Sequence, residues 1–406
     1  MPLSYMYWAL VFLYAQDALA CNRPFSARMA DSIISRAQAT VQKREAPSAS
    51  TYLQVGFFQS SLIRLIDYYH TPEAVCAESD WEKYLQSSTD AITPYLLNST
   101  QDASYPLDRL STANGLLYQY EEYHTRNALS SLRSLRNSVN LQRRNALGGY
   151  WYFNYPNWSY LDGMYSLIPF LLSYTTNFDP TNATVPDDVL QQLDLLWTHC
   201  RHDGTGLLVH GYDESKSASW ANPVTGGSPI VWGRSLGWYF MALVDGLELS
   251  SSFPKSMSRY LLSRLIQLTE SVISVADSTT GCWWQVMDQA NREGNYIESS
   301  GSAMFTTALF RAARLGYLPD DLASDARKTA DQCYSHLLNA FVVQNDNGTL
   351  GYNGTVSVCS LNSSASYEYY ISQPLLYNSV HGAAAFVQAS LEREIFDDSK
   401  DSSRRT

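Results

Sequence analysis

Trp232-Gly-Arg-Ser-Leu-Gly-Trp-Tyr-Phe-Met-Ala-Leu-Val-Asp-Gly-Leu247 puts Leu236, Tyr239, Phe240, Leu243, Val244 and Leu247 at i, i+3, i+4, i+7, i+8 and i+11. That recurrence is the signature of a helix with one apolar face. Met304, Phe305, Ala308, Leu309, Ala312 and Leu315 repeat it. Outward from these two, similar stripes cover 26–43, 51–69, 79–97, 107–124, 126–141, 162–175, 186–200, 257–276, 322–340 and 373–394, separated by Pro, Gly, Asn or Ser. Twelve helices with long loops at some junctions predict an all-α domain. Helical hairpins closing into an (α/α)6 barrel, a six-hairpin toroid, fit this pattern, and a twelve-helix solenoid reads alike. Short β-hairpins are expected in the loops at one end, notably around 281–287 and 349–359.

The 406 residues contain no Pro/Ser/Gly-rich linker or charge block. One catalytic-sized domain over 21–396 with a disordered tail over 397–406 is therefore expected. Apolar residues make up 45%, enough for a sizeable core. The net charge of −11 argues against nucleic acid or an anionic membrane as partner, since both require concentrated Lys and Arg. A small anionic ligand needs only one or two placed cations.

Residues 1–20 form an apolar run ending in Ala18-Leu19-Ala20, the pattern of a cleaved secretory leader, and the run is too short to span a bilayer. A secreted protein is expected. Six cysteines then remain, Cys21, Cys76, Cys200, Cys282, Cys333 and Cys359, and their spacings match no zinc or redox motif. Some should be disulfide-bonded in an oxidising compartment, with the pairing open. Asn98, Asn182, Asn347, Asn353 and Asn362 begin glycosylation sequons, and Asn157, inside an aromatic stretch, is expected to stay unmodified. With no metal-ligand spacing, phosphate loop or nucleotide fingerprint, no cofactor or metal is expected.

The unusual content lies between helices. Loops 142–161, 201–231 and 277–301 are long and rich in Gly, Trp, Tyr and His, and loops of that length tend to carry function. In Tyr155-Pro-Asn-Trp-Ser-Tyr-Leu-Asp-Gly-Met-Tyr165 a single acid, Asp162, stands among rings and apolar residues. It either caps the following helix or does proton chemistry beside aromatic surfaces that suit a sugar. Asp108, in Tyr105-Pro-Leu-Asp-Arg-Leu110, poses the same choice. His210, in His210-Gly-Tyr-Asp213, reads as a core histidine or a ligand-binding one. Arg234, between Trp232 and Trp238 at a helix start, is a packed cation or a carboxylate-binding one between stacking platforms. Glu298-Ser-Ser-Gly-Ser-Ala-Met304 reads as a helix-opening turn.

Taken in order, Leu107-Asp-Arg, Tyr155 to Tyr165, His210 to Asp213, Trp232 to Asp245, Glu298 to Met304 and Tyr367-Glu-Tyr-Tyr-Ile371 resemble the unsaturated rhamnogalacturonyl hydrolases, glycoside hydrolase family 105, related to the unsaturated glucuronyl hydrolases of family 88. The resemblance runs from about residue 50 to 395. It implies an (α/α)6 barrel and action on oligosaccharides whose non-reducing end is a C4=C5 unsaturated uronic acid. Hydration of that vinyl ether gives a hemiketal that collapses, so the anomeric-centre scheme with two carboxylates does not apply. By motif position, Asp162 would protonate C4 and take a proton from the attacking water, and Asp108 would hold the sugar and set the protonation state of Asp162. His210, Arg234, Trp232 and Trp238 would bind the ring and its carboxylate, with Trp158, Tyr212 and Tyr52 as further sugar contacts. Tyr152 stands where relatives often carry a histidine; it can donate a hydrogen bond but cannot titrate near neutrality.

Pectic rhamnogalacturonan fragments are the expected substrate. The alternatives are other unsaturated glucuronyl oligosaccharides, inverting hydrolysis of saturated glycans, and sugar binding without catalysis.

Overall fold

The computed structural model describes residues 23–42, 46–69 and 80–404. The expected leader, Cys21 and Cys76 lie outside them. Twelve helices of eleven residues or more occur among the described residues: α1 (Phe25–Ser35), α2 (Ala49–Tyr69), α3 (Trp81–Ile92), α4 (Ala113–Tyr123), α5 (Arg126–Leu141), α6 (Gly163–Phe178), α7 (Thr184–Cys200), α8 (Gly233–Leu249), α9 (Lys255–Ser274), α10 (Ser299–Arg314), α11 (Asp320–Ala340) and α12 (Val380–Arg404). A 3-10 turn, Leu107–Thr112, leads into α4.

Packing separates them into two rings. α2, the 107–123 segment, α6, α8, α10 and α12 contact one another in that order, and α12 returns to α2, closing the inner ring. The chain is therefore a closed six-hairpin toroid and not a solenoid. The sequence explains which helices go inside. Every residue of α8 from Gly233 to Leu247 is buried, as is every residue of α10 from Ser299 to Ala313; a helix covered on all sides belongs in a core. The outer α11 buries one stripe, Ala323, Ala326, Ala330, Cys333, Tyr334 and Leu337, and leaves its other face to solvent.

Three helix predictions shift. Residues 36–42 leave the helix because Ala37 and Ala39 have positive φ (49° and 55°). Residues 373–379 are not helical: Leu375–Leu376 pairs with Thr355–Val356, and Pro374 and left-handed Asn378 (φ 59°) keep the segment open. At the other end, α12 continues to Arg404, so residues 397–404 extend a helix where a disordered tail is expected.

The strands are short antiparallel pairs: Trp158–Tyr160 with Gly211–Asp213, Val342–Gln344 with Leu350–Tyr352, and 355–356 with 375–376. The segment 281–287 makes only isolated bridges, through Trp284 and Val286. The first pair joins the loops 142–161 and 201–231 to each other instead of forming a hairpin within one loop, and it shapes the site. Cys282 and Cys333 form a disulfide across 51 residues, tying the 277–301 loop to α11. Cys200 and Cys359 are buried free thiols.

Candidate active site

A cleft opens at the N-terminal ends of the inner helices. Ala49 and Ser50 of α2, Asp108 ahead of α4, Asp162 ahead of α6, Arg234 of α8 and His381 of α12 all line it. The sixth helix, α10, reaches it through Ser300, whose Oγ accepts from Arg234 Nη1 at 3.3 Å. Helix N-termini carry partial positive charge and unpaired N–H groups, so this arrangement favours an anionic ligand.

Two tight approaches bring the acids together. The segment after Tyr105 is clamped by the buried Arg109, which donates to the carbonyls of Tyr105 and Pro106 and to Ser138 and Gln142. Gly163 lets that segment approach Asp162, because a Cβ at 163 would lie 2.9 Å from Leu107 Cδ1 and 3.1 Å from Leu107 Cβ. From the other side, the Trp158–Tyr160 ladder and the bond from Leu161 N to His210 O (3.1 Å) carry His210 to Asp162.

Asp162 Oδ2 accepts from Ser235 Oγ at 2.5 Å. His210 Nε2 lies 3.2 Å from the same oxygen, out of line for a hydrogen bond. The His210 Nδ1 is 2.7 Å from the Tyr370 hydroxyl; when that hydroxyl donates, Nε2 carries the hydrogen that faces Asp162. Asp162 supplies no side-chain cap to α6, so the capping alternative falls away.

Asp108 Oδ2 accepts from Tyr152 at 2.6 Å, and its Oδ1 is buried without a partner among the described residues. Burial pushes the Asp108 carboxyl up to about 7; the Tyr152 bond opposes this, and the charge of Asp162 adds to it. Asp108 can thus hold a proton near neutrality while sensing the charge on Asp162.

Aromatic rings form the walls. Tyr152 stacks on Tyr160 (centroids 4.4 Å, 10°), and Phe153 and Tyr155 line the same side. Trp232, also in the lining, is fixed by its indole N–H to Gln285 Oε1 (3.1 Å), with the Arg234 guanidinium 4.9 Å from its ring centre. Trp238 packs against Phe57 and Tyr165. Arg234 donates to the carbonyls of Val356 and Ser357 at 2.6 Å each. Among the described residues it forms no ion pair. Burial pushes the cleft-lining Cys359 thiol up to about 12, which leaves it inert.

Asp162, Asp108, Arg234, Trp232, Trp238 and Tyr152 line the cleft as anticipated, and His210 touches it through Asp162. Three expected sugar contacts do not line it. Tyr212 is fully buried, its hydroxyl accepting from Asn145 Nδ2 (3.1 Å) and its ring stacked on His199. Trp158 packs on Tyr155 and Trp220. Tyr52 leans on Tyr105, while its helix neighbours Ala49, Ser50 and Leu53 face the cleft. In each case a ring that reads as a sugar platform is used for packing. Sequence reading missed Tyr160, Ser235, Cys359 and His381. The first two lie inside quoted motifs, whereas Cys359 and His381 carry no local signal.

A family model described as Glycosyl Hydrolase Family 88 matches residues 25–396. The chain is 36% identical over 196 residues to the 24.9 kDa protein in the picA locus of Rhizobium radiobacter, a match spanning 47% of this chain and 83% of that one. Its fold is similar to that of a family 105 glycoside hydrolase from C. acetobutylicum, with a TM-score of 0.79, 29% identity, and coverage of 92% of this chain and 100% of that one. The unsaturated glucuronyl hydrolase of Bacillus sp. GL1 shares the fold at a TM-score of 0.64 and 12% identity, over 91% and 95% of the two chains.

Proposed function

The chain belongs to glycosyl hydrolase family 88 and is a glycosidase, and we propose that it removes the C4=C5 unsaturated uronic acid from the non-reducing end of lyase-generated oligosaccharides by hydrating the vinyl ether. The observation carrying this reading is that Asp162, Asp108 and Arg234 line one aromatic cleft, where Arg234 forms no ion pair among the described residues. Two acids sensing each other suit proton delivery to a double bond, and a cation held only by neutral acceptors among the described residues suits the uronate carboxylate.

In this scheme Asp162 delivers a proton to C4, and the positive charge that develops is shared between C5 and the ring oxygen. Water adds to C5 as Asp162 takes its proton. The resulting hemiketal opens by breaking the bond from C5 to the ring oxygen, leaving a ketone at C5 and a hemiacetal at C1. Collapse of the hemiacetal frees the leaving sugar. Ser235 holds the Asp162 carboxylate, with His210 Nε2 3.2 Å from the same oxygen, and Tyr152 holds Asp108. Stacking on Tyr160, Trp232 and Trp238 orients the sugar.

Pectic rhamnogalacturonan is the substrate we assign, and secretion the location. The Cys282–Cys333 disulfide supports an oxidising compartment, and exposed sequon residues Asn98, Asn347, Asn353 and Asn362 are accessible to glycosylation.

The test is incubation with unsaturated rhamnogalacturonan disaccharide, following loss of the enoate ultraviolet absorbance and product mass. Water uptake followed by splitting is expected from wild type, and its loss from Asp162→Asn. Full activity in Asp162→Asn, or cleavage of saturated but not unsaturated oligosaccharides, would overturn the proposal. A panel including unsaturated glucuronyl disaccharides tests the assigned leaving sugar.

A further inference from the structure

We infer that His381 reads the acid group of the sugar, acting beside Arg234 as an uncharged hydrogen-bond donor. His381 is the second residue of α12 and lines the cleft with Arg234, Trp238 and Asp162. Only 5% of it is exposed, its ring meets Trp238 edge-on (centroids 6.3 Å, 81°), and its Nε2 has no partner among the described residues. A buried polar nitrogen left unpaired is costly to the folded protein. A ligand in the cleft can recover that cost.

The backbone holds the ring there. Gly382 permits the start of α12 to lie against the 355–356 strand, since a Cβ at 382 would fall 1.9 Å from Thr355 Oγ1 and 3.0 Å from Tyr352 Cδ1. The same strand and the residue after it receive the Arg234 guanidinium through the carbonyls of Val356 and Ser357. One short strand thus fixes both groups.

Their charges divide the work. Arg234 is a buried cation satisfied by neutral acceptors, so an anion is its natural counterpart. Burial, with the Arg234 charge added, pushes His381 down to about 3, which keeps the ring neutral at working pH. A neutral imidazole still donates from one nitrogen. One cation and one neutral donor match the single charge and two oxygens of a carboxylate. A second fixed cation would instead favour doubly charged anions.

This inference rests on the reading that the ligand is a uronic acid, so the probe is a uronate independent of the double bond. D-galacturonate and its methyl ester are titrated calorimetrically into wild type, His381→Phe and His381→Gln, with KM and kcat on the unsaturated disaccharide measured alongside. Wild type should prefer the acid to the ester. His381→Phe should weaken the acid about tenfold, the loss of one hydrogen bond to a charged group, leave ester binding unchanged, and raise KM more than it lowers kcat. His381→Gln, which keeps an amide donor, should recover most of the loss.

A folded His381→Phe that binds the acid like wild type, or loses acid and ester equally, overturns the inference, as does wild type that binds neither. If the Phe variant does not fold, the wild-type imidazole nitrogen resonances decide. A shift with the acid and none with the ester supports the role, and no shift with either overturns it. Acid binding through His381 without turnover of the unsaturated disaccharide would instead overturn the hydrolase reading alone.

Discussion

Tyr152 holds Asp108 twice over: its hydroxyl donates to Asp108 Oδ2 at 2.6 Å, and its carbonyl accepts from Leu107 N at 3.0 Å. The hydroxyl bond favours the ionised carboxylate and is the largest influence opposing burial at Asp108. In Tyr152→Phe that opposition disappears, so the Asp108 midpoint should rise above about 7 by roughly one unit. The pH profile of kcat/KM should move its Asp108-dependent limb to higher pH. An unmoved profile would mean the limb belongs to another group.

Stability should carry the same signature. Asp108 has a folded value of about 7, against about 3.9 for an unfolded chain, so the folded state retains the proton over that interval. Its contribution is fully present below about 4 and is lost as pH rises through about 7, at up to about 1.4 kcal/mol per pH unit. Asp108→Asn should flatten this slope and be on the order of 2–4 kcal/mol more stable than wild type at pH 8, while losing activity. Urea denaturation at several pH values measures both effects.

Ser235→Ala removes the 2.5 Å bond that orients Asp162 Oδ2. A misdirected carboxylate harms the proton-transfer step more than sugar binding. kcat should fall about 10- to 100-fold with KM nearly constant. Steady-state kinetics on the unsaturated disaccharide checks this split.

At the opposite ends of the inner helices, Arg311 of α10 joins Asp245 and Glu248 of α8, with Glu392 of α12 3.9 Å away. Arg64 of α2 reaches the same Asp245 at 3.0 Å. The acids hold the buried Arg311 guanidinium well above its ordinary value. Arg311→Met would leave buried carboxylates short of their cation and cost about 3–5 kcal/mol. Urea unfolding should show the loss, while kcat of the folded variant at low temperature stays near wild type.

The helical content was readable because burial imposes a period on the chain. The stripe in α11 and the unbroken burial of α8 both appear as residue patterns before any packing is known. The acids were readable for a related reason: Asp162 among rings stands out as a charge where burial is costly. His381 did not stand out, since one histidine before an apolar run looks like many others. Likewise, Tyr212 and Tyr52 read as sugar platforms because type and neighbourhood cannot reveal which way a ring points.

By itself, then, the sequence determined the helices, the acids Asp162 and Asp108, and the Trp232-Gly-Arg234 segment, because each depends on local pattern and residue chemistry. Closure was decided only in three dimensions, where contact between α12 and α2 joins distant parts of the chain. That closure gathers the inner helix ends around one cleft, brings His381 to Arg234, and turns Tyr212 away. Such placements depend on how the rings pack, and packing couples residues that no local window contains.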